Sequence, residues 1–587
     1  MMHALITACC PSEMNRSLPF TLSLLLLAGC QTLPEPVGGN AAPATTSSEP
    51  ATVPGRNFER ETLYDLLVAE LAGQRQQPGI ALQRYRRQLP QAQSPLVAER
   101  AFQIADYLDE RNLARQSAQT WARLAPDSAE AHRAAAIELA RSGDFNGALE
   151  HAGQAIALDP DSESHYDFIA FTSNHAYPDM RAALIVKFDQ LMKQHPQRGE
   201  LWLAQAILLQ EYPEQAIRLL QQMPGEPGIP ALALQARLYQ QLDRPEQSLA
   251  IQQQLLELQP DNTAIRLNHA RQLISLNRLE EARDQFLLLM QLEPDNDDFR
   301  LGLAYLYMDL EAWQEALVYL EELVQRDSYT DTALYNMGRC LEALEQPREA
   351  IRSYQSIGAG QYFLAARQQE GNLWLQLEQP GRFEALFADA RKSVPDEQPA
   401  LLQVEIETLS RNRQQEQAWQ RATQALLQFP DDPNLLYTRA MLAEKRDDLQ
   451  QLETDLRHIL ANDPEHAMAM NALGYTLADR TDRHAEALEL IRRAHELQPD
   501  DAATLDSLGW VHYRSGQPEL ALPWLEQAYA AYPDPEVAAH LGEVLWALGH
   551  RRKARQVWHE ALDKAPDHEI LLETVQRLDS RKKWFKQ

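Results

Sequence analysis

Residues 502–533 read AATLDSLGWVHYRSGQPELALPWLEQAYAAYP. Leu508-Gly509 lies in the first half, and Ala521, Leu525 and Ala528 follow before Pro533 closes the stretch. Two antiparallel helices approach closely only where small residues face one another, so Gly509 on the first helix and Ala521 and Ala528 on the second mark where the backbones meet. Leu508 and Leu525 then fill the space toward the neighbouring pair, and Pro533 ends the second helix because it cannot continue the hydrogen-bond ladder. The same arrangement recurs outward. Thr263 to Pro294 carries Ala270, Ala282 and Phe286, and Ala129 to Pro160 carries Ala136, Ala148 and Ala155. From Asp331 the register continues through Met337-Gly338, Ala350 and Tyr354 without the closing proline. Prolines at 126, 160, 196, 230, 260, 294, 395, 430, 464, 499, 533 and 566 lie mostly 33 to 36 residues apart. An internal period of that size predicts a stack of supersecondary units in place of a single globular core.

Small residues and proline at these positions resemble the tetratricopeptide repeat, which implies an all-α solenoid: a right-handed superhelix of paired antiparallel helices around a broad groove. The spacing predicts about fifteen helix pairs between Phe58 and Pro566 and a closing helix from about Glu569 to Lys583. Residues 58–230 hold degenerate pairs, with altered spacing near Ser173 to Pro178 and Gly225 to Pro230. Residues 231–566 hold the regular repeats, and 567–587 a capping helix and basic tail.

Composition agrees with stacked helices. The 587 residues exceed what one core supports, aromatic residues are only 7%, and the 34 prolines fall between helical segments as punctuation. A formal net charge of -29 excludes a phosphate-backbone footprint, so nucleic acid is not an expected partner. Such acidity serves solubility or steers a basic partner.

The N-terminus carries an address. Met14-Asn15-Arg16-Ser17, an apolar run from Leu18 to Leu27 and the small residues Ala28-Gly29 have the three parts of a secretory signal, so residues 1–29 are expected to be a signal peptide with its true start at Met14. The run is too short to span a bilayer as a helix. Leu27-Ala28-Gly29-Cys30 resembles a bacterial lipobox, which implies diacylglycerol on the Cys30 thiol. Gln31 after it, where inner-membrane lipoproteins carry Asp, implies the outer membrane of a Gram-negative cell, facing the periplasm. Residues 30–57 are rich in Pro, Ala, Thr, Ser and Gly and read as a flexible tether with a reach of about 25 to 30 Å. Beyond Cys9, Cys10 and Cys30 only Cys340 remains, so no internal disulfide is available after processing. Cys340 reads as a small buried thiol, with a redox role as the other option.

Sets of residues that would carry catalysis are missing. No nucleophile elbow, phosphate-cradling glycine loop or paired-histidine zinc helix occurs, and neither His484 with His495 nor His550 with His559 shares a helical face with a carboxylate at ligand spacing. The expectation is a non-enzymatic protein without metal, cofactor or small-molecule substrate. The family resemblance places the fifth, ninth and twelfth residues of each first helix on the groove. There stand Tyr305, Tyr335, Arg339, Tyr437, Tyr475, Trp510 and Tyr513, which suit peptide capture through large contact area and cation–π contact, or else pack between repeats. The carboxylate clamp of chaperone-binding relatives needs Lys and Asn at the fifth and ninth positions. Asn471 with Tyr475 and Asp506 with Trp510 depart from it, which disfavours that mode. The tail Arg581-Lys582-Lys583-Trp584-Phe585-Lys586 is either a solvated end or a contact for anionic lipid or a partner.

In its lipobox, length and dense repeats the chain resembles the lipoprotein adaptors of carboxy-terminal processing proteases. That resemblance implies an outer-membrane scaffold that binds and activates a periplasmic serine protease and delivers peptidoglycan cross-link hydrolases to it. A structural scaffold for exopolysaccharide export or envelope assembly is the competing expectation.

Overall fold

The computed structural model describes residues 59–159, 166–173 and 178–579. Among them are 31 α-helices and no strand, and in chain order the helices form fifteen antiparallel pairs and a closing helix. The signal segment, Cys30, the tether and the basic tail lie outside the described residues.

The pair Ala502–Arg514 and Pro518–Ala531 shows how sequence builds the unit. Asp501 caps the first helix, its carboxylate accepting the Thr504 N–H at 2.8 Å. At the turn, Gly516 takes φ +78° and the Gln517 N–H reaches the His512 carbonyl at 2.9 Å, which satisfies one of the last carbonyls of the helix. Pro518 opens the second helix, where its missing N–H costs nothing. A Cβ on Gly509 would stand inside the van der Waals envelope of the Leu525 side chain and 3.2 Å from the Ala521 carbonyl. Ala521, Leu525 and Ala528 are fully buried at that seam.

Other pairs use the same devices with other residues. Gly338, Gly474 and Gly542 abut Tyr354, Ile491 and Trp558. Glu345, Glu378, Arg413 and Asp447 occupy the left-handed turn position held by Gly516, with φ between 56° and 60°. Each L-residue there costs about 1–2 kcal/mol of backbone energy, which the buried seam offsets.

Contacts divide the chain into two compact units after Phe299. Within the second unit, one apolar cluster runs from Phe363 to Val511 through successive pairs, which is the distributed core of a repeat array. Between 166 and 221 the helix lengths vary, from Tyr166–Thr172 with 7 residues to Pro178–Gln194 with 17, and both of these pack on Gly199–Leu208. The closing helix is shorter than expected from sequence. It spans Glu569–Leu578, because Asp579 leaves helical geometry and its carboxylate takes the Arg555 guanidinium at 2.7 Å.

Charges buried between pairs are matched. Asp455, almost wholly buried, accepts both Arg439 nitrogens at 2.6 and 2.8 Å. Glu405, fully buried, lies between Arg391 and Arg421. Cys340 is buried, and burial pushes its thiol up to about 11, which leaves it protonated and unreactive at neutral pH.

Candidate functional site

All seven groove candidates lie on first helices of pairs in the second unit, in three groups. The first group is aromatic. Tyr335 stacks on Tyr362 with ring centroids 5.0 Å apart and tilts against Tyr354 at 5.7 Å. Arg339 donates to Asn336 Oδ1 at 3.3 Å, and the Asn336 amide donates to the Thr332 carbonyl at 2.8 Å. Burial, with the nearby Tyr362, raises the Tyr305 hydroxyl above its ordinary range. Tyr362 and Asn336 belong to this patch and were not singled out by the sequence, since Tyr362 precedes its helix and Asn336 is one step off the repeat positions.

The second group lines an open cleft of about 370 Å³. Gln403, Glu407 and Arg411 contribute from helix Gln398–Arg411, Tyr437, Met441 and Lys445 from helix Pro433–Lys445, and His466 and Met468 from the next pair. Tyr437 is half-buried, and burial is the main cause of its raised pKa. Met468 is 54% exposed. Flexible thioethers and an aromatic ring, rimmed by Glu407, Arg411 and Lys445, make a surface that adapts to an apolar side chain with polar flanks.

The third group is a network across three successive pairs, and it takes up Tyr475, Trp510 and Tyr513. Trp510 is only 6% exposed. Its ring lies flat on His540 with centroids 4.0 Å apart, and its N–H donates to Asp479 Oδ1 at 3.0 Å. Arg514 reaches the same Asp479 carboxylate. The His540 imidazole meets the Asp506 carboxylate at 2.9 Å through Nδ1, and Tyr475 Oη lies 3.4 Å from its Nε2. Tyr475 passes over the intervening pair to donate to Glu536 at 3.0 Å. Tyr513 donates to Glu543 at 3.2 Å, and Arg577 of the closing helix binds the same carboxylate.

Protonation follows from this geometry. Burial works against charging His540, but Asp506, then Glu536 and Asp479, outweigh it and hold the imidazole pKa above its ordinary value. Burial and the Glu536 carboxylate push Tyr475 far up, and burial with Glu543 brings Tyr513 to about 12. Both phenols therefore stay neutral donors. Trp510 thus serves the packing of the array, while Tyr437, Tyr305 and Tyr335 keep part of their surface open.

Three models described as tetratricopeptide repeat match residues 229–262, 332–359 and 465–534. The TPR repeat-containing protein PA4667 of Pseudomonas aeruginosa is 44% identical over 538 residues, 91% of this chain and 91% of that protein. The chain belongs to the tetratricopeptide-repeat family. Among solved structures, a thermophilic TPR protein of Thermus thermophilus is similar at 24% identity, over 31% of this chain and 96% of that one, with a TM-score of 0.27. The APC/C hetero-tetramer Cut9–Hcn1 is similar at 17% identity, over 83% and 96%, with a TM-score of 0.24. The tetratricopeptide matches coincide with helix pairs: residues 465–534 contain the pairs that carry Tyr475, Trp510 and Tyr513, and 332–359 the pair that carries Tyr335 and Arg339. Among the described residues no group of three or more His, Cys, Asp and Glu is placed to hold a metal ion, and no helix is long and apolar enough to cross a membrane.

Proposed function

We propose that the protein is a lipid-anchored periplasmic scaffold that works by holding other proteins: an adaptor that binds and activates a carboxy-terminal processing serine protease and delivers cell-wall hydrolases to it. The observation that carries the binding role is the cleft around Tyr437, Met441 and Met468. Side chains from adjacent pairs converge there on an open, partly apolar surface of the size that accepts one or two side chains of a partner. The tetratricopeptide repeat supports protein–protein interaction in general, and the lipobox at Cys30 supports the membrane address.

Affinity purification of the full chain from detergent-solubilised envelopes tests the adaptor role. Recovery of a processing protease with cell-wall hydrolases supports it, and recovery of polymer-export components in their place overturns it. The anchor is tested separately: Cys30→Ala is expected to release the protein into the soluble periplasmic fraction, and continued sedimentation with membranes would count against lipidation.

A further inference from the structure

Helix Arg60–Gln74, the first described helix of the array, buries one side only. Asp65, Ala69 and Ala72 form that side, and Asp65 accepts hydrogen bonds at 2.9 Å from Arg84 and from Gln88 of the paired helix Pro78–Gln88. The helical period turns Leu63, Leu67 and Leu71 to the opposite side, where they and Tyr64 are 47 to 61% exposed. Residues four apart make one continuous ridge. The closing helix Glu569–Leu578 is built otherwise: only Ile570 among its large apolar residues is exposed. Terminal units of a repeat array keep it soluble by turning a polar face outward. The Arg60–Gln74 face departs from that rule, and covering it removes apolar surface from water.

The charges at the two ends of the ridge select what covers it. Glu59 stands four residues before Leu63 and Arg75 four after Leu71, so the row reads Glu59, Leu63, Leu67, Leu71, Arg75. Both end residues are exposed. Glu59 makes no capping hydrogen bond, and among the described residues neither side chain has a hydrogen-bond or ion-pair partner. Turned end for end, the row complements itself: acid meets base at both ends, Leu63 meets Leu71, and Leu67 meets its own copy. A lipid surface is the poorer match, because helices that lie on membranes carry Lys and Arg beside the apolar face, whereas Glu61 and Glu70 are exposed on this one.

We propose that the ridge of Leu63, Leu67 and Leu71 is an interface between two copies of this chain, their Arg60–Gln74 helices packed in opposite directions about a two-fold axis at Leu67. Rows of residues four apart interdigitate when the helices cross at about −50°. The two-fold repeats each contact, so Glu59 lies beside the partner's Arg75 at both ends of the ridge. One helix from each copy makes a contact at the small end of specific interfaces, about 1,200 Å² or less, and dissociation in the micromolar range is expected. The pairing is independent of the adaptor reading and of the Tyr437 cleft, which belongs to the second unit.

Sedimentation equilibrium of the full chain in density-matched detergent tests it. The native chain is expected to pass from monomer to dimer between about 1 and 100 μM. Leu67→Glu sets two carboxylates at the axis and should leave monomer throughout, with an unchanged melting temperature because Leu67 is exposed in the single chain. Glu59→Arg and Arg75→Glu should each weaken the dimer about fivefold at low salt, and the double variant should regain the native dissociation constant. A native chain that stays monomeric would hand the ridge to lipid or to residues 30–57 and overturn the proposal. So would a dimer that persists in Leu67→Glu, or a double variant no tighter than the single ones.

Discussion

Trp510 lies flat on His540, ring centroids 4.0 Å apart and planes inclined by 22°, and the two come from the first helices of consecutive pairs. A stacked tryptophan and an imidazole held by Asp506 at 2.9 Å form a joint between pairs, closed further by Tyr475 and Asp479. The joint contains a titratable group, and so its strength depends on pH.

His540 has a folded-state pKa above its unfolded value, so the folded chain binds the proton more tightly. Its contribution to stability is fully present below the unfolded histidine pKa of about 6.5 and is lost as pH rises through the folded value. The melting temperature, followed by circular dichroism from acidic to alkaline buffer, is expected to fall across that window in the native chain and to fall less in His540→Gln. The groups facing the imidazole are Asp506, Glu536, Asp479, Tyr475 and Trp510.

Trp510 and Tyr437 should separate packing from binding. Trp510→Ala removes a buried ring and its hydrogen bond and is expected to cost about 3–5 kcal/mol in urea unfolding. Tyr437→Ser opens the cleft wall and should weaken partner capture by a larger factor than it lowers stability, measured as the dissociation constant beside the unfolding midpoint.

Seam and turn glycines should respond oppositely to their non-glycine counterparts. Gly474→Ala drives a methyl group against Ile491 and 3.1 Å from the Ala487 carbonyl, an overpacking expected to cost about 1–3 kcal/mol. Gly516→Ala meets no neighbour but is strained at φ +78°, with an expected loss of about 1–2 kcal/mol. Glu378→Gly, at φ +56°, is expected to stabilise by up to about 1 kcal/mol. Differential scanning calorimetry on the three variants checks the signs.

Asp455 is held by both nitrogens of Arg439 in the interior of the array. Asp455→Ala leaves that guanidinium without its counter-charge and should cost about 3–5 kcal/mol, well beyond the loss from an exposed pair such as Arg457 with Glu486. Chemical denaturation of the two single variants decides it.

Helix pairing was legible in the chain because its cause is local. Gly509, Ala521 and Ala528 are small where two backbones meet, and Pro518 opens a helix, each acting within a few residues of its own position. The candidate site was legible only in part. Repeat position singled out Tyr437, Tyr475 and Trp510 as one class of residue, although one lines a cleft, one bridges two pairs and one is buried. His540 gave no signal, since a histidine on a helix is ordinary until its neighbours are known.

The sequence by itself determined the all-α class, the helix pairs and their joints, because hydrogen-bond capping, proline geometry and backbone approach depend on residues close in the chain. Tertiary structure alone decided which side chains stay open to a partner. Tyr475 meets Glu536 from 61 positions away, and His540 meets Asp506 from 34. Charge balance and burial at such a point are sums over several pairs at once, and no single repeat contains them.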